Sequence, residues 1–252
     1  MSAGVDREML LQALDDELEP QRFEDYCPNG LQVEGRREIR RLVTGVTASQ
    51  ALIDAAIEYG ADLILVHHGY FWRGEPQPVT GTKRRRLAAL LRNQINLVAY
   101  HLPLDAHPRL GNNVQLARRL DLNIEGTLRD DGIGLLGSVS EPCDADELVR
   151  IIARALDREP LWIPAGVHRV HRLAWCTGGA QSMLTMAAER GVDAFISGEI
   201  SEQTTHEARE LGVHYYAAGH HATERYGPQA LGEWCAGRFG VEHRFIDIAN
   251  PA

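Results

Sequence analysis

Short and almost purely apolar runs that alternate with amphipathic segments are the feature that most constrains what this chain can fold into. Leu63–Val66 and Asn96–Tyr100 are two such runs, and each follows a segment with helical periodicity. Strands buried inside a sheet that is covered on both faces have this composition. Strands alternating with helices predict an α/β fold, built of mixed or parallel sheets flanked by helices.

Periodicity and helix caps predict the individual elements. The predicted helices are Asp6–Leu18, Ser49–Tyr59, Thr82–Asn93, Asn112–Leu120, Asp144–Leu156, Ser182–Arg190, Glu202–Leu211 and Thr223–Phe239. The predicted strands are Leu42–Val46, Leu63–Val66, Asn96–Tyr100, Gly134–Val139, Arg172–Cys176, Ala194–Ile196, Val213–Ala217 and Glu242–Ile248. Residues 26–33 contain Pro28-Asn29-Gly30, a strong turn signal, and are predicted to form a loop.

One local pattern occurs twice along the chain. Glu-x-Gly-x-Asp joins a predicted helix to a predicted strand at residues 58–62 and again at 189–193, an offset of 131 (189 − 58). His-x-x-x-Asp at 101–105 and His-x-x-x-Glu at 220–224 match with an offset of 119 (220 − 101), and a longer loop around residues 72–86 accounts for the difference. The pattern indicates an internal duplication; the alternative is that Glu-x-Gly-x-Asp is a generic helix-to-strand turn.

A duplication predicts two similar α/β halves, residues 1–127 and 128–252, with a ligand site between them. The last helix and strand could instead pack on the first half. Open α/β sheets bind ligands at the carboxyl ends of their strands, so equivalent strand ends are where functional side chains are expected.

Bulk properties exclude several classes of protein. The formal charge of −9 argues against a nucleic-acid binder, because phosphate contacts need clustered Lys and Arg. The basic run Lys83–Arg86 is interpreted as a solvated helix face, and single-stranded nucleic-acid binding is the alternative it leaves open. The four cysteines form no Cys-x-x-Cys pair, and the first residues lack an apolar signal core. A cytoplasmic protein without a membrane span is therefore expected.

Histidines and carboxylates cluster at three places where a predicted strand ends. The candidate metal ligands are His67, His68, Asp105, His220 and Glu224. Imidazole and carboxylate together, without thiolate, suit zinc, iron, manganese, cobalt or nickel. A single histidine at a strand end is more often structural, but three clusters at equivalent positions favour two divalent ions. Glu224 is the best bridging ligand, and it stands one helical turn from His220.

Some histidines near these clusters keep more than one interpretation. His67 and His68 would point to opposite sides if their strand continued, but at a strand end followed by Gly69 the backbone can turn, so that both rings reach one site from different directions. His101 could be a ligand, a partner of a ligand, or a general acid/base. His107 and His221 could orient ligands, and Trp72 could wall the site or belong to the core. The remaining histidines are expected to be structural or on the surface.

These segments resemble the signature motifs of the YbgI/NIF-three-like family, also described as GTP cyclohydrolase I type 2 homologues or dinuclear metal centre proteins. The resemblance rests on Leu-Val-His-His-Gly-Tyr-Phe-Trp at 65–72, His-Leu-Pro-Leu-Asp at 101–105, Gly-His-His-Ala-Thr-Glu-Arg at 219–225 and Asn-Gly-Leu-Gln-Val-Glu at 29–34. It covers nearly the whole chain and matches the short bacterial form.

The resemblance implies a site, an assembly and an activity. By it, His67 and Asp105 bind one metal, His68 and His220 bind the other, and Glu224 bridges both. It also implies a ring-shaped homohexamer, a trimer of dimers, with the metal sites facing an internal cavity.

The leading functional hypothesis is a metal-dependent hydrolase of a purine nucleotide or similar heterocycle, with GTP as the substrate that the resemblance suggests. A metal-activated water would be the nucleophile, and His101 and Glu224 are the candidate catalytic residues. The alternative is a non-catalytic protein that stores, delivers or senses metal, or acts as a scaffold.

Overall fold

The computed structural model describes residues 4–252, and these residues divide into two compact units. Unit 1 contains the described residues up to Leu104 together with Gly227–Ala249, and unit 2 contains Asp105–Tyr226 and Asn250–Ala252. The sequence predicted a boundary after residue 127, whereas residues 105–127 lie in unit 2. The last helix and strand lie almost wholly in unit 1.

Unit 1 is built around a five-stranded sheet. The unit as a whole contains the strands β1 (Val5–Asp6), β2 (Gly30–Val33), β3 (Glu38–Ile39), β4 (Arg41–Thr47), β5 (Leu63–His68), β6 (Asn96–Ala99) and β13 (Glu242–Phe245). Its helices are α1 (Arg7–Leu18), a 3₁₀ turn (Pro20–Arg22), α2 (Gln50–Tyr59) and α3 (Gly81–Arg92). The sheet order is β13-β4-β5-β6-β2, in which β2 alone is antiparallel to its neighbour. The strands β1 and β3 pair separately.

Unit 2 contains a six-stranded mixed sheet. Its strands are β7 (Leu122–Thr127), β8 (Leu135–Asp144), β9 (Leu161–Ile163), β10 (Arg169–Cys176), β11 (Ala194–Ser197) and β12 (His214–Ala217). Its helices are α5 (Asn112–Arg119), α6 (Ala145–Leu156), a 3₁₀ turn (Gln181–Met183), α7 (Leu184–Glu189), α8 (Glu202–Leu211) and α9 (His220–Glu224). The order is β7-β8-β10-β11-β12-β9. Helices α4 (Leu102–Ala106) and α10 (Tyr226–Phe239) carry the chain from one unit to the other.

The two sheets share one four-strand arrangement, as the duplicated sequence pattern predicted. In unit 1 the strands β4, β5 and β6 are parallel, and β6 pairs with the antiparallel strand β2. In unit 2 the strands β10, β11 and β12 are parallel, and β12 pairs with the antiparallel strand β9. The two registers correspond: Leu42 pairs with Leu63, and Leu173 pairs with Ala194, 131 positions later. The α/β fold class is confirmed.

The repeated Glu-x-Gly-x-Asp motif has a physical reason. The Asp62 carboxylate accepts hydrogen bonds from the backbone N–H groups of Arg40 and Arg41, at 2.8 and 2.9 Å. Asp193 accepts the equivalent bonds from His171 and Arg172, at 2.9 Å each. Each carboxylate therefore satisfies two backbone donors where the neighbouring strand begins.

Local signals explain most helix ends. The Ser49 side chain accepts a hydrogen bond from the Leu52 N–H at the start of α2, and Gly60 ends that helix with a left-handed φ of 74°. Asp6 caps α1 in the same way, by accepting from the Glu8 N–H. These helix positions agree with the sequence prediction to within about one residue, which is the usual uncertainty of helix ends.

Other elements differ from the prediction. Residues 30–33 form the strand β2 rather than a loop, because they pair with β6, a contact that is distant in sequence. The short strands β7 and β9 were not predicted either, and both lie at sheet edges. The predicted helix Thr223–Phe239 is two helices, α9 and α10, that are separated at Arg225.

Each unit has its own apolar core. Leu52, Ile64 and Leu97 belong to the core of unit 1, and Trp175 and Ile196 belong to that of unit 2. The Trp175 indole N–H donates to the Asn113 carbonyl oxygen at 2.9 Å, so this buried ring leaves no unsatisfied donor. Among the described residues, no helix is both long enough and apolar enough to cross a membrane.

Replacing Asp62 with alanine should destabilise the protein by about 2 kcal/mol, because two partly buried backbone N–H groups and the Arg36 guanidinium lose their acceptor. Asp193→Ala should cost less, because its two backbone donors lie in exposed surroundings. The measurement is the urea midpoint, with Asp54→Ala on the exposed face of α2 as the control. Equal midpoints for Asp62→Ala and Asp54→Ala would contradict this account.

Candidate metal centre

In unit 1, two adjacent histidines end the central strand β5. His67 is fully buried and His68 is partly exposed, and their ring centroids lie 4.5 Å apart. The strand β5 is longer than predicted, because it continues to His68, which pairs with Thr47 of β4. The two rings nevertheless lie side by side at the carboxyl end of the sheet, where ligands are expected.

A third ring, that of His101, completes a histidine cluster. Its centroid lies 5.0 Å from that of His67 and 5.7 Å from that of His68. One potential ligand atom from each of the three residues lies within 4.8 Å of the other two. Trp72 packs edge-on to His101 at 5.0 Å and lies 5.9 Å from His68, so it walls this cluster.

Each of these three rings has its Nδ1 atom engaged by another part of unit 1. His67 Nδ1 donates to the Tyr100 carbonyl oxygen at 3.0 Å, and His68 Nδ1 lies 3.2 Å from the Thr47 hydroxyl. His101 Nδ1 lies 2.8 Å from Asp25 Oδ1. Ligand histidines are usually held by such an outer hydrogen bond, which fixes the ring orientation and leaves Nε2 as the ligand atom. The cluster is therefore suited to a metal ion.

Asp25 is a residue that the sequence analysis did not select. Burial raises the pKa of its carboxyl group, but hydrogen bonds and charge from His101 outweigh that effect and lower the pKa to about 2. Its Oδ2 atom also accepts from the Asn29 amide and the Leu102 N–H, at 3.0 Å each. Cys27 Sγ lies 3.8 Å from Oδ1. The only sequence feature that could have pointed to Asp25 is its proximity to the motif at residues 29–34.

Unit 2 contributes a buried carboxylate pair. Asp105 Oδ1 accepts from the Asn112 amide at 2.9 Å and from the Thr177 hydroxyl at 3.3 Å. Asp105 is 7% exposed and Glu224 is 3% exposed, and one carboxylate oxygen of each lies within 4.8 Å of the other. Two buried carboxylates at this distance repel each other when both are ionised, and a cation between them would offset that repulsion.

The histidine of unit 2 is held between two carboxylates. His220 and Glu224 lie one turn apart on α9, with Nε2 at 3.1 Å from Oε2, as the sequence predicted. The other nitrogen, Nδ1, donates to Glu199 Oε1 at 2.7 Å. Burial lowers the pKa of His220, but bonds and charge from Glu224 and Glu199 outweigh it and raise the pKa to about 9. In the metal-free protein this ring is therefore protonated at neutral pH.

The loop after β10 fits closely around Glu224, a feature that the sequence analysis missed. A Cβ atom on Gly178 would lie 2.1 Å from Glu224 Oε1, and this glycine has a left-handed φ of 69°. The Gly178 N–H donates to the Thr223 hydroxyl at 3.1 Å, beside Glu224. Only glycine can let the backbone approach the carboxylate so closely.

The remaining histidines have different surroundings. His107 Nδ1 accepts from the backbone N–H of Leu110 at 2.9 Å and thereby holds the turn after α4. The His221 backbone N–H donates to the Ala252 carbonyl oxygen at 3.2 Å. His214 and His243 are bonded to Val167 and Thr44, respectively, which agrees with the structural roles expected of them. A ligand-orienting role for His107 and His221 stays a prediction.

The comparisons with known proteins agree on one family. The model of the family described as Duf34/NIF3 (NGG1p interacting factor 3) matches residues 5–251. A Pseudomonas aeruginosa protein named GTP cyclohydrolase 1 type 2 homolog is 57% identical over 246 residues, covering 96% of this chain and 97% of that protein. The Escherichia coli K12 protein of the same name is 52% identical over 244 residues, covering 96% and 98%.

Solved structures give the same result for the fold. A structure described as protein ybgI of unknown function is 51% identical, with a TM-score of 0.96 over 98% of this chain and 100% of that one. The protein TTHA1606 from Thermus thermophilus is 34% identical, with a TM-score of 0.92 and the same coverage.

Replacing Gly178 with alanine should lower metal affinity at least about tenfold, because the new methyl group displaces the Glu224 carboxylate and a strained φ is imposed. The measurement is zinc affinity by competition with a chromogenic chelator. Gly179→Ala is the matched control, since its Cβ would meet only Glu199, at an ordinary 3.4 Å. Unchanged affinity in Gly178→Ala would show that the loop does not hold Glu224.

Metal affinity should rise with pH by up to about tenfold per unit between pH 7 and 9. The sign follows from His220, whose pKa is raised to about 9, so that a metal ion must displace its proton below that pH. Calorimetric zinc titrations in buffers of different ionisation enthalpy count the protons released. Glu199→Gln should shift the rise to lower pH, because one of the acceptors that raise the pKa loses its charge; an affinity that is flat over this range would be inconsistent with the assignment.

Proposed function

Because this chain belongs to the Duf34/NIF3 family, we propose that it is a cytoplasmic metal-dependent hydrolase that binds two divalent ions per subunit. The proposed ligands are His67, His68, Asp105, His220 and Glu224. His67 and Asp105 would hold one ion and His68 and His220 the other, with Glu224 shared by both. Zinc, iron, manganese, cobalt and nickel all suit these ligands.

The observation that supports this proposal is that hydrogen bonds hold the rings of the proposed ligand histidines in a fixed orientation. Three proposed ligand histidines have their Nδ1 atoms engaged by a carbonyl, a hydroxyl or a carboxylate. Outer hydrogen bonds of this kind are typical of metal ligands, because they fix the ring and raise its basicity. Neither unit holds all five proposed ligands by itself, since His67 and His68 belong to unit 1 and the other three to unit 2.

The reaction proposed is hydrolysis of a purine nucleotide or a similar heterocycle. The relatives' names suggest GTP, whose C8 would be released as formate. Bound divalent ions would lower the pKa of water towards about 7 and polarise the bond under attack. His101 would move a proton as general acid/base, from a position walled by Trp72.

A non-catalytic role in metal delivery or as a scaffold is the second candidate. The partial exposure of the ligand His220 and of Glu199, which holds its Nδ1 atom, favours it, because these side chains are 28% and 44% exposed. An ion held there could exchange with a client protein. Turnover of a substrate, as opposed to metal transfer without turnover, separates the two candidates.

We also propose that the protein forms a homohexamer, a trimer of dimers, as the family resemblance implies. Multi-angle light scattering of the purified protein gives the mass that tests it.

Replacing Glu224 with alanine should remove most of the bound metal and all hydrolysis without unfolding the protein, because Glu224 is the proposed shared ligand. The measurements are metal content by mass spectrometry, far-ultraviolet circular dichroism, and formate release from GTP. Glu202→Ala on the exposed side of α8 is the control. Two ions retained in Glu224→Ala would contradict the site, whereas a fully loaded wild type that releases no formate would exclude GTP as the substrate.

A further inference from the structure

His101 and His220 occupy equivalent places in the two halves of the duplicated pattern, and each is bonded to a carboxylate through Nδ1. The distances are 2.8 Å to Asp25 and 2.7 Å to Glu199. The carboxylates come from unrelated positions. Glu199 lies 131 residues after His68 and so stands where unit 1 has a histidine, whereas Asp25 lies in the segment between the 3₁₀ turn and β2. The two equivalent histidines are therefore paired with carboxylates from different positions of the fold.

Asp25 is held more completely than Glu199. Its side chain is 4% exposed, against 44% for Glu199. Its Oδ1 atom accepts from the Tyr26 N–H at 2.7 Å, in addition to the bond with His101. The neighbouring Asn29 accepts from the His101 backbone N–H at 2.8 Å. Asp25 and Asn29 thus hold both the ring and the backbone of His101 by hydrogen bonds.

We propose that Asp25 is a positioning residue that keeps the Nδ1 proton on His101 and thereby makes His101 Nε2 the proton acceptor of the reaction. The inference rests on the proposed hydrolase function and adds a residue to it. Because Nδ1 faces a carboxylate, which accepts hydrogen bonds, the neutral ring carries its proton on Nδ1. Nε2 then has the lone pair, and the ring lies against His67 and His68.

The proton follows a balanced path in the hydrolytic step. As the water oxygen bonds to the substrate carbon, His101 Nε2 takes one proton from that water. It then returns the proton to the substrate nitrogen whose bond to the same carbon breaks. The Asp25 carboxylate stabilises the imidazolium between these two events, and it does not itself become protonated.

The isosteric change Asp25→Asn tests the proposal because the existing hydrogen bonds dictate how the new amide is oriented. Two donors, from Asn29 and Leu102, face Oδ2, whereas the Tyr26 N–H, the Cys27 thiol and His101 Nδ1 face Oδ1. The amide oxygen is expected on the Oδ2 side, because the thiol can rotate and the ring can move its proton, which leaves the Tyr26 N–H as the one fixed donor opposite the NH₂ group. The amide NH₂ then faces His101 Nδ1 and forces the ring proton to Nε2.

The first measurement needs no substrate. Two-bond ¹H–¹⁵N spectra of the zinc-loaded, full-length protein report which ring nitrogen of His101 carries the proton. We expect Nδ1–H in the wild type and Nε2–H in Asp25→Asn. A wild-type ring protonated on Nε2 alone would overturn the proposal, whether or not the protein is active on GTP. A zinc-dependent loss of the His101 Nε2 signal would also overturn it, because it would make this nitrogen a metal ligand.

The second measurement separates a positioning role from a structural or metal-binding one. Asp25→Asn should keep its metal content and KM while kcat for formate release falls by roughly 10²–10⁴-fold. Glu199→Gln is the matched variant at His220, and it should weaken metal affinity by about 10–100-fold above pH 9, where the His220 proton no longer competes with the metal ion. Loss of metal from Asp25→Asn, or an unchanged kcat in it, would overturn the proposal.

A double-mutant cycle tests whether Asp25 acts through His101, and the wild-type ring spectrum covers the case in which Asp25→Asn is poorly folded. His101→Asn alone should lower kcat as much as Asp25→Asn does, and the double variant should lose no further activity. The reason is that both changes disable the same proton acceptor, His101 Nε2. Additive losses would mean that Asp25 acts independently of His101. If the wild type has no activity on GTP, the proposed substrate fails while the ring spectra still decide the role of Asp25.

Discussion

The hydrogen bonds to Nδ1 of the site histidines are the interactions on which the proposed chemistry depends. An imidazole has two nitrogens, and a metal ion or a proton in transfer needs a particular one of them with its lone pair available. In this protein hydrogen bonds to Nδ1 fix the orientation of each ring and leave Nε2 as the nitrogen for a metal ion or a transferred proton. The Tyr100 carbonyl oxygen does so for His67, Asp25 for His101 and Glu199 for His220. Rings held in this way lose little entropy on binding an ion, because their orientation is already fixed.

The duplicated fold explains how such rings come to stand at equivalent places. Three parallel strands and one antiparallel strand recur in both units, and an aspartate caps the start of the first strand in each. The chemistry at the strand ends has diverged within that common frame. The position of His68 in unit 1 corresponds to Glu199 in unit 2, and Asp105 corresponds to Glu224. One scaffold thus carries a histidine-rich cluster in unit 1 and a carboxylate-rich cluster in unit 2.

The sequence predicted what depends on local patterns and missed what depends on distant partners. Helix α2 was predicted from Ser49 and Gly60 because a cap acts within a few residues. Strand β2 was missed because its stability comes from pairing with β6, more than sixty residues away in sequence. Asp25 and Gly178 were missed for the same reason. An aspartate next to a tyrosine, or a glycine in a loop, carries no local sign that a histidine or a carboxylate will fold against it.

The geometry of unit 2 by itself, without the comparison with related proteins, indicates why a site at Asp105 and Glu224 would favour a cation. Asp105 and Glu224 are both buried, with carboxylate oxygens within 4.8 Å of each other. Hydrogen bonds from Asn112 and Thr177 orient Asp105 but bring no charge to offset the repulsion. In the metal-free protein the nearby positive charge is the proton on His220, whose pKa is raised to about 9. A divalent ion would supply more charge than that proton and would leave Nε2 to act as a ligand, so metal binding would relieve the repulsion between the two ionised carboxylates.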